Sequence, residues 1–336
     1  NREQNRSGEC RLGGWSMDHC WVPATEYEVM GVEGEEQEVA SHDETPSDEF
    51  PKLPAADFGI SMPDGYDWTD VAGEGGNSLV MRAVRRQDAK EVAIKVLEKE
   101  NALETDVRAL FEAELLGEID SARVVRFIEV AEDANYLYIV MEYLSGGDLV
   151  DHMVERKRVF SEVEALKIVE GVLEGLVHMH QRGIAHRDIK LENIVLEGGD
   201  PARAKLIDLG LAFRRRNGMS ELATDFCGTP EFCAPEVVRR IPYLPEQVDI
   251  WGVGVVLYAL TARRMPFASS RAIVHEKVDV GDKVTKDVRD LIRQLLAKDP
   301  SDRPTAEHTL KTVKALRRKA ELPAEPFQFS WGNIVE

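Results

Sequence analysis

Short apolar runs separated by polar turn residues dominate the first part of the sequence. Between residues 66 and 141 these runs predict five strands, at residues 66–72, 79–84, 91–97, 124–130 and 136–141. One longer segment with helical spacing, residues 104–119, interrupts the strands. After residue 147 the apolar spacing becomes that of long helices. The pattern therefore predicts an α+β fold, in which a small antiparallel sheet with one main helix precedes a larger helical region.

Two helices stand out in the second region. The first is predicted over residues 161–182, because Ser161 and Glu164 have the spacing of a capping box and Gly183 supplies a stop signal. The second is predicted over residues 248–260 and is apolar on nearly every side, which is typical of a helix enclosed in a core. We expect this second helix to be buried.

The two ends of the chain differ from its middle. Residues 1–63 are rich in Gly, Pro, Ser and acidic residues without an apolar period, which predicts a mostly disordered leader. Residues 64–315 form the predicted folded domain, with lobes at 64–144 and 145–315, and residues 316–336 form a C-terminal tail. A helix is predicted over residues 311–322. Aromatic residues in both ends are candidates for contact with regulatory partners, namely Trp15, Trp21, Tyr27, Phe327, Phe329 and Trp331.

Charge and composition narrow the range of possible functions and partners. The net charge is -19, and residues 1–60 carry fourteen Asp or Glu against four Lys or Arg, which argues against a nucleic-acid partner. No apolar run is long enough for a membrane span, and no secretion signal is recognisable at the start of the sequence. The four cysteines lie too far apart to indicate a zinc site or a disulfide framework. We therefore expect a cytoplasmic location, with the nucleus as an alternative.

Glycines and a lysine in the first region are candidates for phosphate binding. Gly73, Gly75 and Gly76 join the first two predicted strands and would let backbone amides approach a phosphate group, although an ordinary hairpin turn would use them too. Lys95 ends the apolar strand segment 92–95. A solvated lysine at a strand edge is the alternative interpretation of Lys95.

The strongest chemical signal comes from two segments, residues 186–193 and 204–210. Asp188 can accept the proton of an attacking hydroxyl group, and Lys190 can neutralise a migrating phosphoryl group. Asn193 and Asp208 provide oxygen ligands for Mg²⁺. Together the two segments hold the groups that phosphoryl transfer requires.

In this order the motifs resemble those of eukaryotic protein kinases, over roughly residues 66–315. Two features resemble the sequence pattern of serine/threonine kinases and differ from that of tyrosine kinases, namely Lys190 and residues 228–231. Residues 253–267 and 298–303 are most similar to the calcium/calmodulin-dependent protein kinase group. The resemblance implies a bilobal kinase fold, ATP and Mg²⁺ as cofactors, and protein substrates.

The resemblance also implies roles for single residues. Lys95 would bind the α- and β-phosphates and Glu112 would pair with it, although Glu114 is a close competitor. Asp148 would lie near the ribose or the substrate. The residues expected around ATP are Gly73, Gly75, Gly76, Val80, Ala93, Lys95, Met141, Glu142, Leu144, Asp148 and Val195.

Contacts that support the site are implied as well. Thr229 would form hydrogen bonds near Asp188 and Lys190. The resemblance implies that Asp249 orients the catalytic loop, which is the segment 186–193. Residues 227–231 and 234–236 resemble the end of the activation segment, which the pair Glu236 and Arg303 would anchor, with a weak surface salt bridge as the alternative.

Arg187 precedes Asp188 and, in related kinases, helps to bind a phosphate on the activation segment. The position usually held by the phosphorylated threonine is Asp225 here, directly after Thr224. Two interpretations stay open: Asp225 supplies a fixed charge to Arg187, or Asp225 is solvated and Arg187 has another partner. Ser220 and Thr224 are candidate phosphorylation sites.

Three positions depart from the family pattern. Ser78 replaces the third loop glycine, Asn77 replaces an aromatic residue at the loop tip, and Leu209 replaces the phenylalanine after the metal-binding aspartate. None of these changes removes a charge that the chemistry needs. Two alternatives to a protein kinase remain: a pseudokinase scaffold that binds partners without phosphoryl transfer, and a small-molecule phosphotransferase with this fold.

Overall fold

The computed structural model describes residues 63–75, 78–99, 103–216, 218 and 221–322. The expectations for the leader up to residue 62, for Gly76, Asn77 and Ser220, and for the aromatic residues of the tail lie outside the described residues. The limits assigned to the domain and its lobes stay a prediction.

The first lobe is built on a five-stranded antiparallel sheet with the strand order β1-β2-β3-β5-β4. Its strands are β1 (Tyr66–Gly75), β2 (Ser78–Arg85), β3 (Lys90–Glu98), β4 (Phe127–Glu132) and β5 (Tyr136–Glu142). Helix α1 (Leu103–Glu118) follows β3 and packs against β4 and β5. Four of these strands and the helix lie close to the positions that the apolar pattern predicts.

Strand β4 is the exception, because it starts at Phe127 and not at Val124 as predicted. Val124 and Val125 are buried before the strand begins. The backbone N–H of Val125 donates a hydrogen bond to the carbonyl oxygen of Leu206 at 2.8 Å, and Val124 forms a parallel bridge with the same residue. Their apolar character therefore reflects packing against the second lobe.

The second lobe is mainly helical. Its helices are α2 (Glu162–His180), α3 (Pro235–Val238), α4 (Pro245–Ala262), α5 (Ser270–His275), α6 (Lys286–Leu295) and α7 (Ala306–Glu321). Two antiparallel pairs of short strands accompany them, β6 (Ile184–Ala185) with β9 (Phe213–Arg214) and β7 (Ile194–Leu196) with β8 (Ala204–Leu206). The predicted α+β fold with a sheet lobe and a helical lobe is confirmed.

Helix α2 begins with the predicted capping box. The hydroxyl oxygen of Ser161 accepts a hydrogen bond from the backbone N–H of Glu164 at 3.3 Å, and the Glu164 carboxylate accepts one from the backbone N–H of Ser161 at 2.9 Å. The helix ends at His180, and Gly183 adopts φ +70° shortly afterwards. One side of α2 packs against α4 and α7, so its apolar spacing serves the core of the second lobe.

Helix α4 lies at the centre of the second lobe, and every residue from 248 to 260 is buried. Gly252 lies directly under the catalytic loop, since a Cβ atom there would come within 2.8 Å of Ile189, next to Asp188. The helix thus supports the loop at a position where only hydrogen fits. Although α4 is strongly apolar, no helix of the described ranges combines the length and apolarity needed to cross a membrane.

Helix α7 covers the helix predicted at 311–322 and starts earlier, at Ala306. It packs against α2, and Arg317 Nε donates a hydrogen bond to Glu170 Oε2 at 2.6 Å. The predicted boundary after residue 315 thus falls inside this helix.

Candidate active site

Lys95 stands near the end of β3, where it is buried and surrounded by carboxylates. Its Nζ atom lies 2.9 and 2.8 Å from the two oxygens of Glu112 on α1, and 2.8 Å from Oδ1 of Asp208 after β8. Lys95 is 8% exposed, so it is not the solvated strand-edge lysine of the alternative interpretation. Glu114 is exposed and pairs with Arg214 at 3.1 Å, so the choice of Glu112 over Glu114 as the partner of Lys95 is confirmed.

Electrostatics favour the charged forms of Lys95 and Asp208, whereas burial raises the pKa of Glu112. Burial disfavours the ammonium of Lys95, but attraction from Glu112 and Asp208 exceeds that penalty and raises its pKa. Burial acts against the Asp208 carboxylate too, yet Lys95 dominates and lowers the pKa of Asp208 to about 2. The site therefore presents a fixed ammonium and a fixed carboxylate at neutral pH.

The catalytic loop is held from below by Asp249 on α4. This carboxylate is fully buried and accepts hydrogen bonds from the backbone N–H groups of His186 at 2.9 Å and Arg187 at 2.6 Å. Its Oδ2 atom also lies 2.7 Å from Nε2 of His180 on α2. Arg187 adopts φ +65°, an uncommon conformation that these contacts stabilise. Asp249 therefore makes the orienting contacts that the sequence led us to expect.

Three polar side chains surround the carboxylate of Asp188. Thr229 donates to Oδ1 from its backbone N–H at 3.1 Å and from its hydroxyl group at 3.0 Å. Lys190 Nζ lies 2.9 Å from Oδ2 and also donates to the Thr229 hydroxyl oxygen at 2.9 Å. The side-chain amide of Asn193 donates to Oδ2 at 3.0 Å. These contacts fix the carboxylate in one orientation, as a general base requires.

Asp208 follows β8 with φ +62° and a side chain that is 43% exposed. Lys95 and the backbone N–H of Gly210 both bind its Oδ1 atom. Within the described residues Oδ2 has no recorded hydrogen bond, so it offers an oxygen ligand for Mg²⁺, and the side-chain oxygen of Asn193 is of the same chemical type. The described ranges contain no cluster of three His, Cys, Asp or Glu able to hold a metal, so water and phosphate oxygens would have to complete the ligand set. The residues present fit such a site.

The expected adenine residues share one face of the sheet. In the strand register Ala93 is opposite Met141 and Val80 is opposite Lys95, which puts these four side chains on the same side. Gly73 pairs with Val80, and Gly75 pairs with Ser78. The partly buried Leu144 lies at the end of the first lobe, and the second lobe contributes the buried Val195, which forms a bridge with Asp148. The fold thus places apolar side chains of the sheet beside the Lys95 triad.

Lys205 pairs with Glu142, one of the residues expected around ATP, and the sequence analysis missed this contact. Its Nζ atom lies 2.7 Å from Oε1 of Glu142, and the same oxygen accepts a hydrogen bond from the backbone N–H of Arg126 at 2.9 Å. Both ends of the ion pair are largely buried. The pair ties Glu142, at the end of β5, to β8, and the alternation of Lys205 with apolar residues in β8 was its only sequence signal.

Acidic groups lie near Val195 in the second lobe. Burial raises the pKa of Asp148 to about 7, with a further contribution from the carboxylates of Asp151 and Glu192. Burial also raises the pKa of Glu192. These groups would be stabilised by a cation that enters between them.

Arg187 makes the predicted contact with Asp225, since Nη1 donates to Oδ1 at 2.7 Å. Tyr243, which the sequence analysis missed, accepts from the same nitrogen at 3.2 Å. The hydrogen bond from Arg187 lowers the pKa of Asp225. The alternative in which Asp225 is only solvated is therefore wrong, and Thr224 beside it is exposed.

Glu236 and Arg303 form a bidentate pair with distances of 2.6 and 2.8 Å. Their side chains are 3% and 0% exposed, so the alternative of a surface salt bridge is wrong. Arg303 also donates to the carbonyl oxygens of Ala297 and Gln247, both at 2.9 Å. The pair fixes α3, at the end of the activation segment, to the body of the lobe.

Comparison with protein families agrees with this geometry. Residues 66–313 match the protein kinase domain family. The chain therefore belongs to the protein kinase family, as its motifs predicted.

Curated relatives are kinases by name, and several are named serine/threonine-protein kinases. A probable myosin light chain kinase of Dictyostelium discoideum is 32% identical over 261 residues, which are 74% of this chain and 66% of the relative. The calcium/calmodulin-dependent protein kinase type II alpha chain of Drosophila melanogaster is 33% identical over 260 residues (74% and 48%). Human serine/threonine-protein kinase H1 is 34% identical over 259 residues (73% and 60%). The chain spans less than two thirds of the length of each of these relatives.

Proposed function

We propose that this chain is a serine/threonine protein kinase that transfers the γ-phosphoryl group of ATP to Ser or Thr hydroxyl groups of protein substrates. The observation that carries the proposal is the joint presence of the Lys95–Glu112–Asp208 triad and an oriented Asp188 carboxylate. The first can bind and neutralise phosphates, and the second can accept a proton. Both are needed for phosphoryl transfer.

Each residue has a defined task in this proposal. Lys95, held by Glu112, binds the α- and β-phosphates, and Asp208 with Asn193 would hold Mg²⁺. The metal ion supplies positive charge that offsets the charge developing on the phosphoryl oxygens. Asp188 orients the substrate hydroxyl and takes its proton, because its carboxylate is kept in place by Thr229. Lys190 lies 2.9 Å from Asp188 and adds a positive charge beside the transferred group.

The acidic groups Asp148 and Glu192 suggest the kind of substrate. Both carboxylates are partly withdrawn from water and have a raised pKa, so a basic side chain of a substrate would relieve an unfavourable environment. We propose a preference for a basic residue about three positions upstream of the phosphorylated one. A peptide library with a preference for acidic residues or for a following proline would contradict this.

Partners and location are part of the same proposal. The chain acts on protein substrates, and its leader and tail are candidate contact regions for regulatory proteins. We propose a cytoplasmic location, in line with the wide spacing of the four cysteines, which does not indicate a disulfide framework.

Transfer of radioactive phosphate from ATP to a basic peptide tests the main proposal. The wild-type chain should label the peptide, and Asp208→Ala should not. If neither protein labels any peptide while both bind a partner protein, the chain is a pseudokinase scaffold. If the wild-type chain labels small metabolites but no peptide, it is a small-molecule phosphotransferase.

A further inference from the structure

Two thiols that have no role in the proposed reaction lie close together in the activation segment. Cys227 and Cys233 flank the short turn Pro230–Phe232 and line one small pocket together with Asp188 and Thr229. Both are free thiols. Sγ of Cys233 lies 4.0 Å from the carbonyl oxygen of Cys227. The fold thus brings together two residues whose sequence spacing did not indicate a disulfide.

The separation is within reach of a disulfide bond. Sγ of Cys233 lies 4.0 Å from the carbonyl oxygen of Cys227, and a Cβ atom at Gly228 would lie 3.4 Å from the same sulfur. A disulfide requires the two sulfur atoms to come within about 2.05 Å of each other. The residue between Cys227 and Thr229 is Gly228, which has no side chain to obstruct the approach. A side-chain rotation with a small movement of the turn would bring the two sulfur atoms together.

The surroundings make both thiols slow to react. Burial raises the pKa of Cys233 to about 11 and also raises that of Cys227, where the charge of Arg187 opposes the effect in part. Both groups are therefore protonated at neutral pH while the segment is closed. Oxidation would follow prolonged exposure and opening of the segment, in contrast to a fast sensor cysteine.

We propose that Cys227 and Cys233 form a reversible intramolecular disulfide when the chain meets a hydroperoxide. One thiol, as thiolate, attacks a peroxide oxygen, so the O–O bond breaks, one water leaves and a sulfenic acid forms. The second thiol then attacks this sulfur, the S–S bond forms and a second water leaves. In sum two thiols and one hydrogen peroxide give one disulfide and two water molecules, with sulfur oxidised and peroxide oxygen reduced.

The disulfide would disturb Thr229, which lies between the two cysteines. Thr229 donates to Asp188 at 3.1 and 3.0 Å and accepts from Lys190 at 2.9 Å. Drawing Cys233 toward Cys227 changes the backbone of this loop and removes those contacts. Because a displacement of about 1 Å in a catalytic site can cost on the order of a hundredfold, we expect phosphorylation of a peptide to fall at least about tenfold. This consequence rests on the proposed kinase activity.

Mass spectrometry of the full-length chain tests the bond itself. The chain is treated with hydrogen peroxide, free thiols are blocked with N-ethylmaleimide, and the protein is digested with trypsin. The fragment Asn217–Arg239 contains both cysteines and no internal Lys or Arg. We expect it to be lighter by two hydrogen atoms and free of maleimide after peroxide, and to carry two maleimides after treatment with dithiothreitol. Peptide phosphorylation should fall and return in parallel.

Matched variants separate this bond from other oxidation. Cys233→Ala should keep its activity in peroxide, whereas the double variant Cys10→Ser/Cys20→Ser should lose activity like the wild type. The proposal is overturned if the fragment retains two free thiols, or carries only sulfinic or sulfonic acids, after peroxide has abolished activity. Full activity with the disulfide present would overturn its regulatory effect. Because the mass of the fragment does not depend on phosphoryl transfer, a failure here is distinguishable from a failure of the proposed function.

Discussion

Two buried ion pairs in this chain have nearly the same geometry and very different surroundings. Lys95 lies 2.9 and 2.8 Å from the oxygens of Glu112, and Arg303 lies 2.6 and 2.8 Å from those of Glu236. Further donor groups of Arg303 bind two backbone carbonyl oxygens. Lys95 instead shares its charge with Asp208, whose side chain is 43% exposed.

From this difference we infer that the Arg303 pair is structural and that the Lys95 pair belongs to the proposed reaction. The Arg303 pair is saturated with hydrogen bonds and withdrawn from solvent, so its loss should appear in the stability of the fold. The Lys95 group faces the cleft with a carboxylate that can still bind a ligand, so its loss should appear in turnover. Substitutions on each side can test this separation.

The largest effect is expected at the reactive pair. Lys95→Met or Asp208→Ala should lower kcat/KM at least about a hundredfold, because these groups neutralise charge that develops during transfer. The melting temperature should change little for Asp208→Ala, since that side chain is partly exposed. Radiolabel transfer to a basic peptide measures the effect, and near-normal turnover in both variants would refute the assigned roles.

At the structural pair the expected effect is on folding. Arg303→Met leaves the buried carboxylate of Glu236 without a partner, so the free energy of unfolding should fall by about 3–5 kcal/mol. Urea denaturation measures it. The matched control is Arg293→Met, because Arg293 pairs with Asp290 on an exposed surface, where the loss should stay under about 1 kcal/mol. Equal losses in the two variants would remove the distinction between the pairs.

Two glutamates of α1 sharpen the comparison within one helix. Glu112→Gln should lower kcat at least about tenfold, because Lys95 loses the charge that positions it. Glu114→Gln should change kcat by less than about twofold, because Glu114 is exposed and its ion pair with Arg214 is screened by water. If both variants lose the same activity, the effect comes from the helix and not from the pair.

Arg187 and Asp225 form a third pair, intermediate between the other two because Arg187 is buried and Asp225 is half exposed. We expect Asp225→Asn to lower activity several-fold, about as much as one partly screened charge contributes, and Thr224→Ala to have less effect. Protein treated with a phosphatase should keep measurable activity. Activity that disappears with phosphatase or Thr224→Ala, and is indifferent to Asp225→Asn, would show that threonine phosphorylation is the switch.

The smallest effect concerns pH. Asp148 has a pKa raised to about 7, so it is mostly neutral at pH 6 and mostly charged at pH 8. For a peptide with arginine three positions upstream, KM should fall over this range by a few-fold relative to the same peptide with alanine there. The ratio of the two KM values removes titrations that both peptides share. Asp148→Asn should make this ratio independent of pH, and a ratio that still changes would assign the effect to another group.

Prediction from sequence was most successful where a signal is local. The segment 186–193 holds Asp188, Lys190 and Asn193 within a single loop, and the capping box of α2 involves residues only three positions apart. Local spacing could not place Val124 and Val125. The apolar pattern assigned them to a strand, but in the structure they precede the strand and are buried against the second lobe.

The sequence by itself determined the protein kinase family, the two-lobe fold and the order in which the candidate site residues occur. Only the tertiary structure decided which partners they have: Glu112 rather than Glu114, Lys205 for Glu142, Tyr243 beside Arg187, and Cys233 near Cys227. The reason is physical. Turns, helix caps and loops depend on residues that are neighbours along the chain. Burial and ion pairing depend on which distant segments the core brings together, and the spacing of residues along the sequence does not contain that information.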